Sequence, residues 1–416
     1  MARSAARQLA LTALQRWRKS HEFADRILQR LIVGSELSRS DRGFAQELFY
    51  GVLRNLTLLD FFISQLRNSA IDNLSQDLLR LGLYQLFHLR TPAHAAVFET
   101  VELASLHRRS LINGIMRNAA RERHRLGSEA AQAPLHIRES HPEFLVTRWC
   151  EAFGENSAAA ICRWNNRAAP IYARINTLRI RREDFLENNP MASPISTDSL
   201  FVECEGLPET AIARGDCYLQ DPSTGVAVDL LEPQSGEVIL DACAGPGGKT
   251  SHMAAMTKNM ATIAACDRDA ARLRLLRQNL SHLGAAPIEF IQHDWLRDRY
   301  PGALGPKQFD KILVDTPCTN TGVMRRRVDV RWRLKPADFR QMHEQQLRIV
   351  AAVVPLLRPG GVLVYSTCSL EREENEELVE HLAREIPTLK IEQTRIILPW
   401  RDHFDGAFAA RFVLTG

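Results

Sequence analysis

Val238-Ile-Leu-Asp-Ala-Cys-Ala-Gly-Pro-Gly-Gly-Lys-Thr250 decides how this 416-residue chain reads. A short apolar run ends in an acid and passes through a glycine-rich turn toward a stretch of helix-forming residues. Glycines between a strand and a helix let a ligand approach the backbone and leave amide groups free to receive it. The loop is not a Walker phosphate loop: counting back five residues from Gly248 lands on Cys243, not on a glycine. It also fails the Gly-x-Gly-x-x-Gly dinucleotide pattern, because Thr250 stands at the last position. A nucleotide hydrolase is therefore disfavoured, and a cofactor other than a triphosphate is expected.

Outward from this stretch, β-rich runs alternate with helical ones: Thr262–Cys266, Ile288–Ile291, Lys311–Val314 and Gly361–Tyr365, separated by Asp269–Leu283 and Met342–Leu357. Such alternation predicts an α/β Rossmann-like domain, with its ligand beyond the carboxyl ends of the strands. Acids stand at four successive strand ends, namely Asp241, Asp267, Asp294 and Asp315. Any one of them fits a helix cap. Four in succession suit a ligand carrying hydroxyls and amines, with Asp267 placed as the usual ribose acceptor. Two cysteines join the same layer, Cys318 in Asp315-Thr-Pro-Cys318 and Cys368 in Ser366-Thr-Cys-Ser369. A nucleophilic thiol needs partial exposure and a field favouring thiolate. Lys249, Arg325–Arg327 and nearby helix N-termini are candidates to supply that field.

The other six cysteines (Cys150, Cys162, Cys204, Cys217, Cys243 and Cys266) form no disulfide framework or zinc spacing, so no metal is expected. Composition is globular, at 45% hydrophobic and 25% charged residues, which argues against a disordered or fibrous chain. The longest apolar run, Ile349 to Leu357, is too short to cross a bilayer. The Arg-rich N-terminus has no apolar signal core and reads as an amphipathic helix with Ala6, Ala10, Leu14 and Trp17 on one stripe. A cytoplasmic location is expected.

Residues 1–130 read as an all-α bundle. Phe44, Leu48, Val52 and Leu56 recur every fourth residue, with Ser40 or Asp41 expected to cap that helix. Leu78 to Phe87 reads as a central helix, and Pro92 opens the next. This part carries 19 Lys and Arg against 12 Asp and Glu, whereas the rest carries 34 against 37. A basic region joined to a near-neutral one suits a polyanionic partner as well as it suits a solvated face. Residues 126–140 read as a linker, and 131–219 as linker plus a small α+β module with a strand at Ile171–Ile175 and the basic run Arg179-Ile-Arg-Arg182. Residues 220–416 form the Rossmann-like domain.

Together these residues resemble the RNA cytosine-5 methyltransferase family related to Nop2, Sun and RsmB proteins. The matching pieces are Ala242–Lys249, Asp267, Asp294, Asp315-Thr-Pro-Cys318 with Thr321-Gly322, Arg326, and Ser366-Thr-Cys-Ser369 with Glu374-Asn375. Phe44–Asn55, Pro92–Val97 with Glu102, and Leu111–Arg117 resemble the NusB-like domain of the RsmB subgroup. Small departures are Gly245 where the family more often has Ala, and Thr316 and Thr319 where it has Ala and Ser.

The resemblance implies S-adenosylmethionine as cofactor, held by Cys243, Ala244, Gly245, Pro246, Gly247, Gly248, Lys249, Asp267, Arg272, Asp294 and Asp315. It implies Cys368 as the nucleophile on carbon 6 of cytosine, and Cys318 as the residue that helps remove the carbon 5 proton. Asp315 would lie at the base edge, and Lys249 would face RNA phosphate or the reacting centre. The partner would be RNA, small-subunit ribosomal RNA ahead of transfer RNA, bound by a monomer without metal or membrane. RNA contacts are expected at Arg108, Arg109, Arg117, Arg121, Arg179, Arg181, Arg182 and Arg326. A non-catalytic NusB-like RNA-binding factor is the alternative, and retention of both cysteines speaks against it.

Overall fold

A computed structural model describes residues 2–297 and 308–415. The chain divides into two compact units, Met1–Ala168 with Met324–Leu334, and Ala169–Val323 with Lys335–Gly416. Among the described residues no helix is long and apolar enough to cross a membrane.

The first unit is helical throughout. Its first helix, Ala2–Lys19, buries Ala6, Ala10 and Leu14, as the four-residue spacing predicts, with Trp17 half-buried at the end of the stripe. The central helix, Asn73–Phe87, is buried from Asp77 to Leu86. The charges it carries inward are paired, Asp77 with Arg18 at 2.9 Å and Arg80 with Asp60 at 2.7 Å. Asp72 caps this helix by accepting from the Leu74 and Ser75 amides. The Phe44–Leu56 stripe breaks at Asn55, which separates the helices Arg39–Arg54 and Leu56–Leu66. The cap of the first lies at Ser38, not at Ser40 or Asp41: its side chain accepts from the Asp41 amide.

The linker expected over 126–140 is absent. Helices Arg123–Gln132 and Leu135–Arg138 occupy it, because Leu126, Ala130 and Ala133 turn inward at helical spacing. Helices Glu143–Phe153 and Glu155–Asn166, expected beside the small sheet, also belong to this unit.

A late stretch of the chain, Met324–Leu334, completes the helical unit. Val328 sits in its core, and Asp329 accepts from the Trp17 indole at 3.1 Å and the Ala24 amide at 3.0 Å. Arg331 is fully buried and donates to the Ser140 and Asn165 carbonyls and to Asn166 Oδ1. Burial draws its guanidinium down to about 9.

The second unit holds two sheets. The smaller is antiparallel, order β2-β3-β1-β4, from β1 (Ile171–Ile175), β2 (Ala192–Pro194), β3 (Phe201–Cys204) and β4 (Cys217–Leu219). Ala173, Ile175, Phe185 and Val202 form its core.

The larger sheet comprises β5 (Val238–Asp241), β6 (Thr262–Asp267), β7 (Ile288–Gln292), β8 (Phe309–Asp315), β9 (Leu357–Thr367), β10 (Leu389–Ile397) and β11 (Ala407–Leu414). Its order is β10-β11-β9-β8-β5-β6-β7, parallel from β7 to β9, with β11 antiparallel to both β9 and β10. The chain winds outward from β5 to β7 and then crosses back to β8. The order therefore reverses between β5 and β8, where an open parallel sheet leaves its crevice.

Two boundaries differ from expectation. The helix expected from Met342 begins at Pro336 and ends at Val353, where Pro355 in the next turn cannot supply an amide to prolong it. Strand β9 then starts at Leu357, inside the stretch read as helix.

Candidate active site

The loop after β5 is built around three acids at strand ends. Asp241 is buried and accepts from the Thr250 hydroxyl at 2.7 Å, which ties the end of β5 to the first turn of the helix Gly248–Met256. Burial, opposed by that hydrogen bond and helped by the nearby Asp315 charge, raises its carboxyl to about 7. Asp267 closes the other side of the loop. Its Oδ2 accepts from the Gly245 amide at 3.0 Å, and its Oδ1 from the Asp269 amide at 2.9 Å. A Cβ at position 245 would stand 2.5 Å from Asp267 Oδ2, so glycine is what lets the two come this close in this chain. Arg272 covers this turn, donating to the Gly245 carbonyl and lying 3.6 Å from Asp267.

A cleft opens over the loop. Cys243, Asp267, Arg272 and Asp294 line its polar side, and Trp295, Leu296, Pro317 and Ile349 line its apolar side. Trp295 is fixed by its indole N–H to the Ala242 carbonyl at 2.8 Å and by an edge-on contact with His293. Acids for hydroxyls and an apolar wall for a flat ring fit the adenosine part of S-adenosylmethionine. Asp241 and Asp315 lie outside this lining, as do Ala244–Lys249 of the expected cofactor loop, so the four strand-end acids divide between framework and cleft.

Asp315, at the end of β8, accepts from Lys249 Nζ at 2.7 Å and from Ser366 Oγ at 2.7 Å. Burial works against the charge on Lys249, but the Asp315 carboxylate outweighs it and the ammonium pKa rises. The charge of Cys368 acts in the same direction on Lys249.

The two cysteines of this layer meet: Cys318 Sγ lies 3.2 Å from Cys368 Sγ. Cys368 is half-exposed and donates to Asn320 Oδ1 at 3.3 Å. Cys318 is buried, and its thiol is pushed well above the usual range, first by its hydrogen bond with Cys368 and then by burial. A thiolate-favouring field was expected for both thiols, and at Cys318 the structure provides the opposite, because two thiols in contact cannot both ionise readily. Arg325 lies over the Trp164 ring at 4.1 Å within the helical unit, and Arg326 and Arg327 are exposed there. Cys162 and Cys217 are buried thiols raised to about 12 by desolvation, in keeping with an inert structural role. Among the described residues no group of three His, Cys, Asp or Glu is placed to hold a metal.

The expected RNA contacts are dispersed. Arg117 is exposed on the helix Leu106–Arg121, and Arg108 pairs with Asp72 at 3.3 Å, Arg109 with Glu102 at 3.1 Å and Arg121 with Glu122 at 3.8 Å. Arg179 donates to the His282 carbonyl at 3.2 Å, and Arg181 pairs with Asp184 at 2.7 Å. Arg182 is committed to the Thr197 and Ser199 carbonyls and holds a turn of the small module.

Sequence reasoning passed over Arg174 of β1. Its buried guanidinium donates to Gln220 at 2.9 Å and to Ser251 at 2.7 Å, bracing the helix that carries Lys249. A charged residue in an otherwise apolar strand was the available signal.

Residues 228–413 match the family model of the 16S rRNA methyltransferase RsmB/F. Residues 4–121 match the NusB family, and 141–188 the ferredoxin-like domain of RsmF/B-like methyltransferases. The chain is 32% identical over 411 residues to the probable ribosomal RNA small subunit methyltransferase B of Bacillus subtilis (strain 168), covering 93% of this chain and 90% of that protein. It is 36% identical to ribosomal RNA small subunit methyltransferase B of Serratia proteamaculans (strain 568), covering 91% of each. Among solved structures, PH0851 aligns over 99% of both chains with TM-score 0.79 and 20% identity, a likeness of fold. A methyltransferase homolog protein from Pyrococcus horikoshii aligns over 67% of this chain and 97% of its own, with TM-score 0.60 and 27% identity.

Proposed function

The chain belongs to the 16S rRNA methyltransferase RsmB/F family, and we propose that it methylates carbon 5 of a cytidine in small-subunit ribosomal RNA through a covalent bond between Cys368 and the base. The observation that carries this reading is the contact of two thiols of unequal exposure beside a Lys–Asp pair. S-adenosylmethionine is the cofactor of the family and supplies an electrophilic methyl group. Cys243 of the loop, Asp267, Arg272, Asp294 and the Trp295 wall line the cleft that would hold it.

Carbon 5 of cytosine is too poor a nucleophile to take a methyl group unaided. Addition of the Cys368 sulfur to carbon 6 turns the ring into an enamine, so one hard step becomes two easier ones. Lys249 stands near Cys368, while Asp315, held by Lys249 and Ser366, offers an acceptor to the exocyclic amine of the base.

Cys318 keeps its proton while Cys368 is free. Once Cys368 is bonded to carbon, the hydrogen bond and the charge that hold the Cys318 thiol up are gone. Once carbon 5 also carries the methyl group, Cys318 releases its proton to solvent and takes the one on carbon 5. The electron pair of that C–H bond restores the double bond and expels Cys368. The target base must leave its stack to reach these thiols, so single-stranded or loop RNA is the substrate form.

The test is transfer of labelled methyl groups to unmodified small-subunit ribosomal RNA, followed by digestion to nucleosides. The label is expected in 5-methylcytidine. Label in another nucleoside, or transfer confined to transfer RNA, would overturn the corresponding part of the reading.

A further inference from the structure

Glu374 carries a carboxylate that the reaction scheme does not use. The residue is fully buried, at the end of the 3-10 turn Arg372–Glu374 that follows β9. All four of its side-chain hydrogen bonds are accepted from uncharged donors. Oε2 receives the Thr319 amide at 3.0 Å and Gln346 Nε2 at 2.8 Å. Oε1 receives the Ser369 hydroxyl at 2.6 Å and the Thr319 hydroxyl.

Burial raises the pKa of Glu374, and these hydrogen bonds act against that rise by favouring the ionised form. Burying such a charge without a cation is costly, and its hydrogen bonds must offset that cost. Three of those bonds go to two different loops, and the fourth to Gln346 on the helix Pro336–Val353. Thr319 follows Cys318 directly, and Ser369 follows Cys368 directly. One carboxylate therefore grips both thiol-bearing segments one residue beyond the sulfur.

The surrounding contacts tighten the same joint. The Tyr365 hydroxyl donates to the Glu374 carbonyl at 2.7 Å, and Asn375 bonds the Thr367 hydroxyl at 2.7 Å and the Ser369 carbonyl at 2.9 Å. The Gly322 amide donates to the Cys368 carbonyl at 2.9 Å, a second tie between the loops.

We propose that Glu374 is a positioning residue for the two-thiol reaction: its buried carboxylate clamps Thr319 to Ser369 and thereby holds Cys318 and Cys368 at reacting distance. The proposal rests on the function argued above, and it adds a residue that touches neither base nor cofactor. The negative charge of Glu374 also acts on Cys318, and it favours the protonated form of that thiol.

The test pairs kinetics with a distance probe that needs no RNA. Phenylarsine oxide bridges two thiols only when they lie side by side, and mass spectrometry locates the bridged pair. In full-length Glu374→Gln the amide points donors at donors, so the clamp loosens while side-chain volume is kept. The expected result is a kcat lowered about 100-fold, the effect of a displacement near 1 Å, with KM for S-adenosylmethionine within about twofold and bridging of Cys318 to Cys368 lost.

Ser369→Ala removes one arm of the clamp, together with that hydroxyl's bonds to Thr319, Thr321 and the Glu371 amide, and serves if Glu374→Gln does not fold. It is expected to lower kcat about tenfold, in line with the loss of one hydrogen bond of about 1.4 kcal/mol, and to weaken bridging. Unchanged kcat in a folded variant, or lowered kcat with bridging intact, would overturn the proposal. If the wild type transfers no methyl group to RNA, the functional reading fails alone, and the bridging comparison still decides the role of Glu374.

Discussion

Cys318 and Cys368 are the same residue type 3.2 Å apart, and their neighbours make them different. Cys368 is half-exposed near Lys249, whereas Cys318 is buried near the Glu374 charge. A second buried group carries a pH signature. The carboxyl of Asp241 titrates at about 7 in the folded chain, above its usual range near 4. Over that window the folded chain holds a proton that the unfolded chain has released, so this group makes stability fall as pH rises from about 4 to about 7. Asp241→Asn removes that dependence and still accepts from Thr250. Its melting temperature is expected to gain on the wild type between pH 5 and pH 7.5, by an amount equivalent to roughly 2–3 kcal/mol. Parallel melting curves across that range would refute the assignment. The cysteines and strand-end acids were legible because their side chains carry chemistry at positions a strand–loop–helix rhythm exposes. The clamp by Glu374 was not, since its partners come from separate loops and nothing in residue spacing joins them.

At the scale of the element, two glycines set how closely segments approach. A Cβ at Gly245 would stand 2.5 Å from Asp267 Oδ2, a side-chain oxygen that can give way, in keeping with the alanine that the family more often has there. A Cβ at Gly322 would meet the Cys368 carbonyl and the Gly406 Cα, each at 2.7 Å, and both are backbone. Gly322→Ala should lower stability by about 1–3 kcal/mol, the usual range for overpacking, and reduce turnover with it.

The parallel strands β5 to β9 were readable because strands buried on both faces are short apolar runs. Strand β10 was missed because its sequence is mostly polar and six consecutive positions, from 390 to 395, are exposed at the sheet edge. The 126–140 stretch misled in the other direction. Small residues and a proline suggested a linker, while Leu126 and Ala130, four apart, bury one face of a helix.

For the whole molecule, the sequence pattern separated a basic helical region from a near-neutral α/β region, and gave no hint that residues 324–334 return to the helical unit. Asp329 and Trp17 are 312 residues apart, and no periodicity links them. Asp329→Ala would leave the Trp17 indole, the Ala24 amide and the Arg333 guanidinium without this acceptor. A loss of about 3 kcal/mol is expected from orphaning buried donors. Hydrogen exchange should speed up across residues 2–33 and leave strands β5 to β9 unchanged. Protection equal to the wild type in that region would show that Met324–Leu334 is not integral to the helical unit.

The central claim is that Cys368 bonds to the base and Cys318 releases it. The most direct measurement is a denaturing gel of wild type, Cys318→Ala and the Cys318→Ala/Cys368→Ala double variant, each mixed with S-adenosylmethionine and unmodified small-subunit ribosomal RNA. The account predicts an RNA–protein adduct that accumulates with Cys318→Ala and disappears in the double variant. An adduct that persists without Cys368, or none with any variant while the wild type transfers methyl groups, would contradict it.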